Sequence, residues 1–423
     1  MVGSKRRKNS RGGASSSTAP PAPPAPATYE LPPASSPLPS PASTRPPWPR
    51  DEGIRIPSSI VWGVNLKKAV EKDECVFREI SEQWDEYDTL FYNAWLGIDI
   101  RPTRFVDNIA MRIMGIQRDV LHLVQKIGLG TICLKQYDLY PDLVRQFLAT
   151  ARVYYANEVV KNALEGTLTF LIYRVRYRLP LRDLCGIYGF ERDFIGVALP
   201  AQFPGAQIFW FHFGNKAYDS KTSTQIDVRH PVLRYVTRAI GNTFLCKMEP
   251  GKMRLAELIL LSYAVGDLCG DECCLPINVN MGAVFAHHLV SLKTKPFSGT
   301  GKKTESVGSL LTPIFQHFGI RTEGCSIVTT RSLMNEEYLK HAKWIKDDWL
   351  WCFSDTTGEH MVQLPDPELT AIGEDPHQLL FEPDPRLLIT PQPSRRRRIP
   401  PLPTADPGAS SSSAPAQFGT STV

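Results

Sequence analysis

Three stretches of this chain carry residue types that could do chemistry at close spacing. Cys269, Cys273, Cys274, His287 and His288 form a C-x3-C-C-x12-H-H set. Zinc fingers pair their ligands as C-x2-4-C and H-x3-5-H, so this spacing is not theirs, nor is it the C-x2-C-x4-H-x4-C of a zinc knuckle. His288 falls on an apolar helix face, where a hydrogen-bonded core histidine is expected, and no metal or other cofactor is assigned. Gly299–Thr304 (GTGKKT) is close to a phosphate-binding loop. That loop needs Gly where Pro296 stands and Ser or Thr where Lys303 stands. Asp355-Thr356-Thr357-Gly358 is one residue longer than the Asp-Thr-Gly of aspartic proteases. The chain has no Gly-x-Ser-x-Gly, His-Glu-x-x-His, Gly-x-Gly-x-x-Gly or Tyr-x-Asp-Asp. The residues therefore point away from an enzyme.

What remains is positive charge in three places. Lys5, Arg6, Arg7 and Lys8 form one cluster. Lys293, Lys295, Lys302 and Lys303 lie in a loop over 293–304, and Arg395, Arg396, Arg397 and Arg398 stand between prolines. Each is a candidate contact for nucleic acid, and the two terminal clusters are also candidate import signals. The net charge of +5 is concentrated at the start: residues 1–50 hold seven Lys/Arg and one acid. Nucleic-acid attraction should come mainly from that tail.

Composition then separates tails from body. Of 36 prolines, 13 fall in residues 1–50 and 11 in 366–423, while all nine cysteines lie between. Residues 1–54 and 361–423 read as disordered Pro/Ser-rich tails, and 55–360 as one large body with material for a core. No apolar segment near residue 1 resembles a signal peptide, so no leader is expected. The longest apolar stretch, Leu255–Val265, is interrupted by Glu257 and too short to span a bilayer. Unpatterned cysteines fit reduced thiols in the nucleus or cytoplasm.

The positioning elements are mostly helices. Pro141 suits a helix start, and Leu143, Val144, Phe147 and Leu148 follow at helical spacing. After Gly166 the period becomes two, with Leu168, Phe170 and Ile172 on one face. The phase slips at Tyr173-Arg174 and alternation resumes at Val175, which predicts a β-hairpin. Leu181–Tyr188 reads as a helix ended by Gly189. Further helices are expected within 66–96, over 117–127 and 230–247, over 254–265, from the Asn280 cap to Leu292, over 307–318 with a break before Pro313, and over 335–344. The aromatic run Ile208–Phe213 is expected to be buried, and Trp349–Phe353 to be a strand or packed turn. The expected fold is mainly α: a single helical body with a small β-hairpin.

Several stretches together resemble a known family. They include PTRF at 102–105, IGLG at 127–130, YPDLVRQFLAT at 140–150, EGTLTF at 165–170 and DLCGIYGF at 183–190. They continue with LRYVTRAIGNTFLCKMEPGKMRLAEL at 233–258, GAVFAHHLV at 282–290, ESVGSLLTPIF at 305–315 and EEYLKHAKWI at 336–345. The chain is similar in these to the first-open-reading-frame protein of Athila-type plant retrotransposons. The resemblance implies a non-enzymatic Gag-like or accessory structural protein that associates with itself and handles element RNA. One departure stands at the hairpin turn, where Gly is usual and Tyr173-Arg174-Val175 is present. Val resists positive φ, so a longer or distorted loop is expected there. The strand–strand–helix unit also resembles plant mobile domains, which implies the alternative of a host nuclear adaptor acting through protein contacts.

Overall fold

The computed structural model describes residues 86–389, apart from Arg174, Met248, residues 298–302 and Thr356. The N-terminal tail, Lys302 and the Arg395–Arg398 cluster therefore lie outside the described residues, as does most of the 66–96 segment.

The chain enters through α1 (Glu86–Leu96), which buries Phe91, Tyr92 and Trp95. Two-residue strands β1 (Asp99–Ile100) and β2 (Arg104–Phe105) follow. Asp107 caps α2 (Asn108–Ile113) by accepting from the Ile109 and Ala110 amides. α3 (Gln117–Lys126) and α4 (Gly130–Leu134) come next. α5 (Pro141–Thr150) starts at its proline and buries Leu143, Val144, Phe147 and Leu148. Phe147 packs on Phe170 with ring centroids 4.6 Å apart. Full burial of one such side chain contributes about 2–3 kcal/mol.

β3 (Arg152–Tyr154), β4 (Thr167–Ile172) and β5 (Val175–Pro180) form a three-stranded antiparallel sheet. Ile172 pairs with Val175, so the loop is two residues long. Val175 is spared the positive φ, which falls on Tyr173 at 49°. The loop is thus short, not lengthened. Tyr173 is held there by donating its amide to Gln146 Oε1 at 3.0 Å. α6 (Leu181–Tyr188) ends at Gly189 with φ 72°, the left-handed cap expected.

α7 (Ala206–Phe211) buries Phe209 and Trp210 but leaves Ile208 and Phe211 exposed, so only part of that aromatic run is interior. α8 (Pro231–Ala239) runs into a π-helical turn over Ile240–Phe244, and every residue of both is buried. α9 (Leu255–Val265) lies beside α8 at the centre. Asn280 caps α10 (Met281–Leu292) through the Ala283 amide. After β6 (Thr304–Glu305), a 3-10 turn over Gly308–Leu311 gives way to α11 (Thr312–His317), so Pro313 divides this segment where expected. β7 (Ser332–Leu333) and α12 (Glu336–His341) lead to the hairpin of β8 (Leu350–Asp355) and β9 (Gly358–Gln363). A short helix, α13 (Pro367–Thr370), follows.

The strands correct the mainly-α expectation. Of the described residues, 46% are helical and 15% lie in strands, and these strands form four sheets. Two of those are parallel pairs that no local pattern announces: β1 with β6 and β2 with β7 join residues about 200 apart in sequence. Packing also continues past residue 360, where the tail was expected to begin. Leu364, Leu379 and Phe381 are buried in the same core cluster as Phe91.

Candidate functional site

The most unusual chemistry of the described residues is a buried stack of arginines and aromatic rings. α8 carries Arg234 and Arg238 one turn apart, so both reach the same side. Arg234 donates from Nε to Val228 O at 2.6 Å, from Nη1 to Cys352 O at 2.8 Å and from Nη2 to Ile226 O at 3.3 Å. Its guanidinium lies 4.4 Å from the Trp351 ring centroid. Arg238 donates to Gln225 Oε1 and to the Tyr338 hydroxyl, and sits 4.7 Å over Trp344. Arg104 covers the other ring of the set, Tyr338, at 4.2 Å. No carboxylate among the described residues pairs with Arg234 or Arg238. Burial pushes the Arg234 pKa down to about 9 and lowers that of Arg238. Carbonyl dipoles and ring faces carry the charge instead. The donors are consumed by the protein itself, so the stack fastens α8 to α12 and to the β8–β9 hairpin. Its only trace in the sequence is two arginines at i, i+4 inside an apolar helix.

The described lysines of the 293–304 loop turn inward in the same way. Lys293 is fully buried, with Nζ 4.0 Å from Asp88 Oδ1 and 5.1 Å from the Phe91 ring centroid. Asp88 also takes Arg152 Nη2 at 2.7 Å. Lys295 pairs with Glu305, and Lys303 donates to Pro296 O. Lys293, Lys295 and Lys303, expected as nucleic-acid contacts, thus each have an internal partner.

The cysteine–histidine set disperses. Cys269 Sγ contacts Val265 O, Cys274 is exposed, and the His287 ring bonds the Tyr155 hydroxyl at 2.7 Å. Among the described residues no three metal-ligating side chains converge. Asp355 closes the β8–β9 turn. Its Oδ1 accepts from the Thr357 amide at 2.7 Å, the Thr357 hydroxyl at 2.6 Å and His360 Nε2 at 2.9 Å. Burial acts to raise its pKa, but these hydrogen bonds outweigh burial and hold it at about 2. Thr357 and Asp355 meet the same histidine nitrogen, so no relay runs through the ring as in a catalytic triad.

Two apolar features face solvent. Exposed Leu164, Ile195 and Ile277 are drawn together by backbone bonds, Ala163 N–H to Ile195 O at 3.0 Å and Gly196 N–H to Asn278 O at 2.9 Å. Exposed Val159 and Val160 lie a few residues before Leu164. A separate groove of about 560 Å³ lies between α2 and α12.

Comparison with known proteins adds one finding. The model of the ATHILA ORF-1 family matches residues 90–407, well over half of the chain. The chain belongs to the ATHILA ORF-1 family. No curated protein and no solved structure matches it. The family match agrees with the resemblance drawn from the sequence. It takes in the packed body and the Arg395–Arg398 cluster, and it leaves Lys5–Lys8 outside. Among the described residues of this ATHILA ORF-1 protein, no helix is long and apolar enough to cross a membrane.

Proposed function

We propose that this retrotransposon-derived protein is a non-enzymatic, Gag-like or accessory structural protein of its element. Its folded body associates with further copies of itself, and its basic N-terminal tail contacts nucleic acid in the nucleus or cytoplasm. The observation that carries the reading is where positive charge is spent. In the body, Arg152, Arg234, Arg238, Lys293 and Lys295 are committed to internal partners. Residues 1–50 keep an excess of six positive charges over acids. The exposed Leu164, Ile195 and Ile277 supply an apolar surface of the kind that marks protein contacts.

Fluorescence anisotropy with labelled single-stranded RNA tests the nucleic-acid part. Replacing Lys5, Arg6, Arg7 and Lys8 by Ser in the full chain is expected to weaken binding at low salt. It should also flatten the log Kd against log salt slope by about 3, since each phosphate contact contributes about 0.7. Equal affinity and equal slope in both proteins would overturn the assignment to this tail.

A further inference from the structure

We propose that the groove between α2 and α12 is the docking site of the chain's own Arg395–Pro403 segment. The segment binds as an extended polyproline helix, with Arg397 on the acidic rim and Pro400 and Pro403 on the apolar floor. This goes beyond the nucleic-acid reading and does not rest on it.

The groove has the composition that such a ligand needs. Its floor is Ile109, 65% exposed, with Ile113 and the indole of Trp349. Its rim is acidic. Glu336 shares Lys340 with Asp347, at 2.9 Å to each, so that lysine's charge is met twice. Glu337 is exposed and forms no ion pair among the described residues. Asp348 and Trp349 are both left-handed, with φ 57° and 59°. That conformation is uncommon for bulky side chains and is found where a loop presents a group to a ligand. Solvent-exposed isoleucines, a tryptophan and a spare carboxylate match the recognition of Pro-rich segments by aromatic-lined grooves.

The segment has the complementary pattern. Residues 395–403 read RRRRIPPLP. Arg397, Pro400 and Pro403 recur every three residues, and a polyproline II helix has three residues per turn. All three therefore lie along one edge. The leading arginine meets the acidic rim while the prolines meet the floor.

The place where the described chain ends favours this occupant. Ile389 exchanges two backbone hydrogen bonds with Met361, at 2.8 and 3.1 Å. Met361 lines a second cavity, which shares Lys340 with the groove. The described chain thus ends beside the groove's neighbour. The eight residues from Ile389 to Arg397 span about 25 Å when extended. The family match continues to residue 407 and includes the segment.

The test is isoleucine-methyl NMR on the full-length protein. In R397E and in P400A/P403A, the Ile109 and Ile113 signals are expected to shift while the remaining isoleucines stay in place. A synthetic peptide of residues 392–405 should return both signals toward the wild-type positions. The same peptide should bind the wild type at least about tenfold more weakly, because the tethered tail competes for the site. E337K should shift the same signals, and combining it with R397E should restore them. Unchanged signals in every variant, or equal peptide affinity for wild type and variants, would overturn the proposal. Shifts that grow with protein concentration would place the tail of a second copy in the groove and overturn docking within one chain.

Discussion

His230 makes a pH-dependent contribution to stability that can be worked from its surroundings. It caps α8, its Nδ1 accepting from the Val232 amide at 3.2 Å. The ring is buried, meets Phe381 edge-on at 5.6 Å, and has no partner on Nε2 among the described residues. Burial lowers its pKa from 6.5 to about 3. A protonated ring would also set an N–H against the Val232 N–H. The unfolded chain therefore takes up a proton near pH 6.5 that the folded chain refuses until about 3. The contribution is complete above 6.5 and is lost as pH falls from there towards 3. At pH 5 the loss is about 2 kcal/mol. His230→Asn keeps a short acceptor at the cap and removes the titration. Urea unfolding at pH 7.5 and pH 5 reads the difference. His287, His288 and Asp355 titrate alike in both proteins and cancel. The wild type should lose about 2 kcal/mol more than the variant between these pH values. Parallel losses would refute the reasoning.

Three further substitutions probe the interior by urea midpoint at neutral pH. Arg234→Met removes donors from three carbonyls but also removes a buried charge, and the net loss should be about 2–4 kcal/mol. Asp88→Asn takes the carboxylate away from Arg152 and Lys293, with an expected loss of about 3 kcal/mol. Gly189→Ala places a Cβ 2.8 Å from Thr131 Oγ1 at a residue with φ 72°. It should cost about 1–2 kcal/mol. A midpoint unchanged from wild type in any of the three would remove the role given to that residue.

Local signals in the sequence were read in proportion to their range. Pro141, Gly189 and Asn280 mark helix ends because capping depends only on residues within one turn. The apolar run Leu255–Val265 announces a central helix because no face of it can meet water. The two parallel pairs escaped notice because Asp99 meets Thr304 and Arg104 meets Ser332. Two-residue strands carry no alternation to detect. β3 was missed for the same reason, being three residues long. The sites were less legible than the fold. A lysine in a loop and a lysine in a buried ion pair look identical in sequence, and only the placement of Asp88 and Glu305 separates them. Arg234 and Arg238 carry no local sign of burial, because an i, i+4 pair on a helix is ordinarily solvated. Their aromatic partners Tyr338, Trp344 and Trp351 lie about 100 or more residues away.

The central claim, a body that self-associates and a tail that holds RNA, is tested most directly by light scattering of the full-length protein. Mass should be measured with and without single-stranded RNA, at low and high salt. The account predicts large RNA-dependent assemblies that fall apart as salt rises, because phosphate contacts weaken with salt. It also predicts that a charge placed in the apolar patch, as in Ile195→Asp, reduces their mass. A small species of constant mass, indifferent to RNA and to salt, would contradict it.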